Sequence, residues 1–449
     1  SIYSNSLYIF GNSKRCLWKN IRILRKFAWL TPKANTVTKE NTGKEYSVKR
    51  KYSDERKHSK KQMKEIYLDQ GATSYPKAPG VGMAMTNYID NIGASINRGS
   101  YGRAMEVGNL SIRLRERACK LFAFHDPGHV IITPGASIGL SMLIMPLFQE
   151  GGHVIISPLE HNAVRRPLEM LLQRKEHPIS LSTFPYDLGL DGDFSPLEKL
   201  IRPDTKAVIM LHASNVSGEV FPVEAIGKIC KETGIDFILD ASQSGGHIPI
   251  DFEKMNLSAL VLPGHKGLLG PQGIGLTLLR EDFAKKLPPY LFGGTGSVSE
   301  SLTMPNFMPD KFEPGTPNIP GIYGLEKALQ FIEETGVKEI QAHTNMLHQR
   351  FLEGLYEIKG KNLIRIPGKE GRENSGVVSI DFCTMDNAIV CNRLASRYGI
   401  MTRQGLHCAP MAHQCFGTEE SGTVRFSFGF FNRMEEIDRT LLAIQEVLS

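Results

Sequence analysis

The sequence predicts an α/β protein: a large domain built on a mixed, mostly parallel sheet covered by helices, followed by a smaller α+β domain. Three observations carry this. From residue 66 onward, short apolar runs alternate with helical stretches, the pattern of an open sheet with helices on both faces. After Pro320 the alternation gives way to long helices and a few late strands. The residues with chemical potential fall just after the early runs, where open sheets bind ligands.

Val130–Thr133 is β-branched throughout and reads as a strand, and Ile138–Phe148 as a buried helix. His153–Ser157 is a strand, followed by a helix around Arg166–Arg174. Ala207–Leu211 is a strand and Val223–Thr233 a helix. Asp236–Leu239 and Leu257–Leu262 are further strands. Beyond Pro320, a helix covers Tyr323–Thr335 and another reaches Ile358, with strands at Val377–Phe382 and Thr423–Phe428. These elements divide the body into a large domain over residues 66–320 and a small one over 321–449.

Residues 1–65 are different. The first 66 residues hold 17 Lys/Arg against 5 Asp/Glu, a charge of +12 within a chain whose total is +6. The rest is therefore about −6, a basic head on a mildly acidic body. The head is aperiodic and reads as a disordered extension, or as a targeting segment of mitochondrial type. A nucleic-acid-binding or scaffold protein using this head is the reading from a different class. The body carries no sign of a nucleic-acid groove. No apolar run approaches the ~20 residues needed to span a bilayer. Cys16, Cys119, Cys230, Cys383, Cys391, Cys408 and Cys415 form no CxxC pair. That argues against a zinc site or a disulfide framework, and fits a reducing compartment such as the cytoplasm.

Four elements carry chemistry. Thr133-Pro134-Gly135-Ala136-Ser137 is a small-residue turn opening a helix, a phosphate cradle in outline. Asp240 ends a strand and begins Asp240-Ala241-Ser242-Gln243. Lys266 follows the next strand, between Gly264 and Gly267. Cys408 lies in a Gly/Pro-bounded loop beside His407 and five residues after Arg403, where positive neighbours favour a thiolate. A strand-end carboxylate is often only a helix cap, and a lone loop lysine only a solvated charge. Together they fit pyridoxal phosphate (PLP). Its pyridine nitrogen needs an anion such as Asp240, and its aldehyde needs a desolvated lysine such as Lys266.

From about Tyr67 to Val447 these motifs resemble the class V aminotransferase-like, fold-type I PLP enzymes, and within them the cysteine desulfurase and selenocysteine lyase branch. Tyr67-Leu68-Asp69-Gln70-Gly71-Ala72-Thr73-Ser74 is similar to that family's opening "YLDNAATS", with Gln70 in place of Asn. Asn97-Arg98-Gly99-Ser100-Tyr101 matches a second segment loosely. Glu160-His161-Asn162, Ser214-Asn215-Val216-Ser217-Gly218, Asp240–Gln243, Gly264-His265-Lys266, Phe312–Asn318, Arg403–Pro410 and Val424–Ser427 resemble further motifs in order, and Asn432 stands where the family has Asn.

The resemblance implies that Lys266 carries the cofactor covalently, that Asp240 pairs with its ring nitrogen and Gln243 with its phenolic oxygen. His161 stacks on the ring and assists proton transfer, while Ala136, Ser137 and His265 bind phosphate. Asn215 contacts cofactor and substrate. Arg425 and Arg403 bind the substrate, Arg425 by clamping its carboxylate. Thr316 reaches the partner subunit's cofactor in a homodimer. Ser242, where Ala is commoner, is expected to matter little. Cys408 becomes the persulfide-bearing nucleophile that takes sulfur from L-cysteine, for an acceptor protein and uses such as iron–sulfur cluster assembly. A selenocysteine lyase or another aminotransferase-like enzyme is the alternative on the same scaffold.

Overall fold

The computed structural model describes residues 65–96, 99–359, 364–369 and 372–449. The readings made for residues 1–64, and for Asn97 and Arg98, lie outside them.

The large core is a seven-stranded sheet with strand order β2-β8-β7-β6-β5-β3-β4. Its strands are β2 (Val130–Thr133), β3 (Gly152–Ile156), β4 (Ile179–Thr183), β5 (Thr205–Leu211), β6 (Asp236–Asp240), β7 (Ala259–Pro263) and β8 (Gly275–Leu279). The run β7-β6-β5-β3-β4 is parallel, and β8 is antiparallel to both of its neighbours. Successive side chains point to opposite faces, so a strand covered on both sides must be apolar at every position. Val208, Met210, Phe237, Leu239, Leu260 and Leu262 face one core, while Ala207, Ile209, Ile238, Ala259 and Val261 face the other.

Two strands of this sheet escaped the sequence reading. β4, Ile-Ser-Leu-Ser-Thr, is a half-exposed edge strand with only two large apolar residues. β8 follows a glycine-rich turn and runs against the parallel pattern, a direction that periodicity does not encode. The helix read at Arg166–Arg174 is Asn162–Leu172. It starts earlier because the His161 ring, rather than a Ser or Asp, accepts the hydrogen bond of Ala163 N–H at its N-terminus.

The C-terminal core holds an antiparallel sheet of β11 (Arg403–Gly405), β12 (Thr423–Ser427) and β9 (Val377–Ile380). Helices Val337–Lys359, Asn387–Tyr398 and Met434–Leu448 accompany it. A parallel pair joins β1 (Ile66–Tyr67) to β10 (Ile400–Met401). Ile66 and Leu68 thus pack with Phe351, Phe426 and Ile444, while Ala409 and Ala412 pack with the large core. We propose the division at residue 320 as a boundary between two cores rather than two separable bodies, because packing crosses it in both directions.

Candidate active site

The carboxyl ends of β2, β5, β6 and β7 surround a cavity of about 380 Å³. Ala136, Ser137, His161, Asn215, Asp240, Gln243, His265 and Lys266 all line it. Arg425, Arg403 and Cys408 do not line it but approach from the C-terminal core. Arg425 Nη1 donates to the Asn215 carbonyl at 3.2 Å, and Asn215 Nδ2 donates to the His407 carbonyl at 2.7 Å. Thr316 is exposed and sits elsewhere, in a groove of about 880 Å³ that shares Pro134 and Gly273 with the cavity.

One wall is the start of helix Ala136–Leu147. No side chain caps it, because the preceding residue is Gly135. Its first N–H groups and the positive end of its dipole are left for an anion. Gly135 (φ 153, ψ 174) needs glycine, and Gly275 on β8 lets the turn pass, since a Cβ there would stand 2.9 Å from the Gly135 Cα.

The opposite wall is polar. Asp240 is buried, and its Oδ1 accepts from both the backbone N–H and the hydroxyl of Ser242. Ser242 is therefore not the bystander expected from sequence: it fixes one carboxylate oxygen. Gln243 Nε2 donates to the Gly71 carbonyl at 3.0 Å, keeping one N–H spare. His161 Nδ1 accepts from Ala163 N–H at 3.0 Å, so the neutral ring carries its proton on Nε2. Burial holds the His161 pKa below its ordinary value despite Asp240, which favours the cation. Behind it, Glu160 Oε1 accepts from Leu211 N–H and the Ser157 hydroxyl, and burial pushes the carboxyl up to about 8. Sequence inspection assigned Glu160 no role; its place shows as a neutral tie between the β3 and β5 loops.

Lys266 is half-buried, and burial lowers its pKa from 10.5 to about 8. Asp240 opposes that shift, while Arg425 and Arg403 add to it. The loop is pinned at the neighbouring carbonyl of His265, which receives Ser74 N–H at 2.9 Å and Lys77 Nζ at 2.8 Å. The lowered pKa makes a prediction. An ordinary lysine exposes more free amine up to pH 10 and beyond, whereas Lys266, with a pKa of about 8, is half free at that pH and gains little above about pH 9. The rate at which the apoprotein captures PLP should therefore rise with pH, pass half its limit near pH 8 and level off above about pH 9, measured by stopped-flow absorbance. A rate still climbing steeply at pH 10 would contradict this environment.

Cys408 is exposed on a tight turn. Both His407 (φ 50) and Cys408 (φ 58) adopt the left-handed conformation that costs non-glycine residues energy. The turn is held by Asn162 N–H donating to the Cys408 carbonyl at 2.8 Å and by Asn215 on His407. His407 is not the positive neighbour the sequence reading supposed. Burial, with Arg425 adding to it, drives its pKa down to about 2. The cations that interact with Cys408 are instead Lys266 and Arg425.

Asp69, from the opening motif, bridges two arginines of the C-terminal core. Its Oδ1 accepts from Arg425 Nη2 at 3.0 Å and its Oδ2 from Arg403 Nε at 3.1 Å. Nothing in its local sequence signals this, because both partners lie more than 330 residues away.

These residues fit PLP on the structure's own terms. Asn215 Oδ1 and His265 Nδ1 are buried atoms with no partner among the described residues, both from cavity-lining side chains. With the uncapped helix, the anion Asp240 and the low-pKa Lys266, the cavity offers what a phosphate, a pyridine nitrogen and an aldehyde each need.

The aminotransferase class-V family model matches residues 66–440, and the chain belongs to that family, whose members are PLP-dependent. Within it the chain falls in the cysteine desulfurase branch. It is 31% identical to a probable cysteine desulfurase of Pyrococcus abyssi, over 85% of this chain and 94% of that one. It is 29% identical to another from Methanothermobacter thermautotrophicus, again over 85% and 94%. Among solved structures it resembles the apo cysteine desulfurase of Thermococcus onnurineus, with TM-score 0.78 and 30% identity, covering 86% of this chain and 94% of that one. Among the described residues no helix is long and apolar enough to cross a membrane, and no cluster of three or more His, Cys, Asp or Glu could hold a metal ion.

Proposed function

We propose that this chain is a PLP-dependent cysteine desulfurase that converts L-cysteine to L-alanine and keeps the sulfur as a persulfide on Cys408. The observation that carries this is the Cys408 turn. An exposed thiol on a strained, anchored loop lies within electrostatic reach of Lys266 and Arg425. A transaminase has no use for such a thiol.

The residues divide the work. Asp240, Gln243, His265, Asn215 and the N-terminus of helix Ala136–Leu147 would hold PLP, with His161 beside them and Lys266 to bind it covalently. Bound there, PLP supplies the electron sink that acidifies the substrate Cα–H and loosens the Cβ–S bond. Arg425 binds the substrate carboxylate through a planar guanidinium whose buried Nε has no partner among the described residues. The Lys266 amine has a pKa low enough for it, as the free base, to take the Cα proton and return it to carbon. The neutral His161 ring can donate from Nε2. The Cys408 thiolate attacks the substrate sulfur. An S–S bond forms, the Cβ–S bond breaks, its electron pair stays with carbon, and protonation there yields alanine.

Two partners follow from this reading. Thr316, with the exposed Ile112 and Leu291, lines a groove beside the cavity rather than the cavity itself. That arrangement supports a homodimer in which each Thr316 serves the other subunit's cofactor phosphate. The exposed Cys408 supports transfer of sulfur to an acceptor protein. Six described cysteines are all free, which suits a reducing compartment such as the cytoplasm.

The test is product analysis. L-Cysteine should give alanine and sulfide in equal amounts when a thiol reductant is present. An oxo-acid as the main product, or turnover of L-selenocysteine with none of L-cysteine, would overturn the assignment.

A further inference from the structure

Arg403 and Arg425 are directly opposite each other on the antiparallel strands β11 and β12. Like charges in that position repel and weaken a sheet. The structure resolves the conflict with a carboxylate brought from the other end of the chain. The strap after β1 is stitched to β10, just before β11, and to β12. Leu68 N–H donates to Met401 O at 2.9 Å, and Ser427 N–H donates to Leu68 O at 2.8 Å. This sets the Asp69 side chain, only 15% exposed, between the two guanidiniums. The strap then runs on beside Arg425, where a Cβ on Gly71 would stand 3.4 Å from the guanidinium carbon.

Charge counting gives this arrangement a meaning. Two arginines and one aspartate leave a net charge of +1, matched by a single carboxylate. Arg425 is 3% exposed and Arg403 is 52% exposed, so the spare cation lies toward solvent. Without Asp69 the same place would carry +2 and would suit an amino acid with a second acidic group.

We propose that Asp69 is a specificity-determining residue. By occupying one arginine charge it sets the site for amino acids with one carboxylate and disfavours those with an acidic side chain, such as L-aspartate. This rests on the reading of Arg425 as the holder of the substrate carboxylate.

The test uses the full-length, PLP-loaded protein and two unreactive probes, L-alanine and L-aspartate, each titrated as a competitor of L-cysteine. Asp69→Asn keeps size and one acceptor oxygen while removing the charge. It should shift the ratio of the two inhibition constants toward L-aspartate by roughly tenfold. Arg403→Gln, with Asp69 intact, lowers the local charge to zero. It should weaken L-alanine and weaken L-aspartate more. The double variant restores +1 and should restore the wild-type ratio. A ratio unmoved in Asp69→Asn protein that retains its cofactor absorbance overturns the proposal. If that variant does not fold, equal weakening of both probes in Arg403→Gln overturns it instead. If L-alanine fails to compete in the wild type, the desulfurase reading falls first, so the two failures are told apart.

Discussion

Replacing Lys266 with alanine should remove the visible absorbance of lysine-bound PLP and depress L-cysteine turnover by roughly a thousandfold or more. The structure gives the reason for so large an effect. Lys266 is the lysine lining the cavity, and its amine is held near pKa 8 by burial. The other described lysine with a pKa of about 8, Lys77, is committed to Thr73, Ser74 and the His265 carbonyl. It cannot take over without releasing the loop it pins. The phosphate cradle, Asp240 and His161 are untouched by the change, so the variant should still bind PLP reversibly. Native-strength absorbance from a covalent adduct in the variant would show that another lysine carries the cofactor.

Cys408→Ser should leave cofactor absorbance intact while sulfide and alanine production from L-cysteine falls roughly a hundredfold or more. The substitution keeps the size of the side chain. The turn that presents it is held by backbone and Asn contacts, not by the sulfur. Mass spectrometry after exposure to L-cysteine should find a persulfide on wild-type Cys408 and none on the variant. Selenocysteine is the informative comparison. Its carbon–selenium bond is weaker, so selenium release can persist without the thiol. Sulfide release at the wild-type rate would remove Cys408 from the chemistry and leave the PLP chemistry standing.

Much of the site is legible in sequence because it is local. Asp240 ends a buried apolar run and Lys266 closely follows another, and small residues follow or flank them, so strand-end position and residue type appear together in a few letters. What escapes is whatever depends on register between distant segments. Asp69 is one residue in a polar strap until β1 pairs with β10 and places it between Arg403 and Arg425. Ser242 seemed a neutral exchange for alanine, and only the turn geometry aims its hydroxyl at Asp240. His407 seemed a cation beside the thiol, and burial makes it neutral. The antiparallel course of β8 was hidden for a related reason: periodicity marks a strand but not its direction.

The strap from Ile66 to Ser74 also sets the order in which the protein can mature. Its partners on β10 and β12, and Asn432, which donates to the Tyr67 carbonyl, are all synthesised long after it. The large sheet can form on the ribosome once β8 has emerged, because all seven strands lie before residue 280. The first strand, by contrast, waits for a segment more than 330 residues downstream. Domains generally fold as their chain emerges, but so non-local a pairing closes late. A nascent chain can therefore acquire the large sheet before it has the Arg403–Arg425 pair or the Cys408 turn. Lys266 is in place first, and the strands that carry Arg403, Arg425 and the Cys408 turn join it more than a hundred residues of synthesis later.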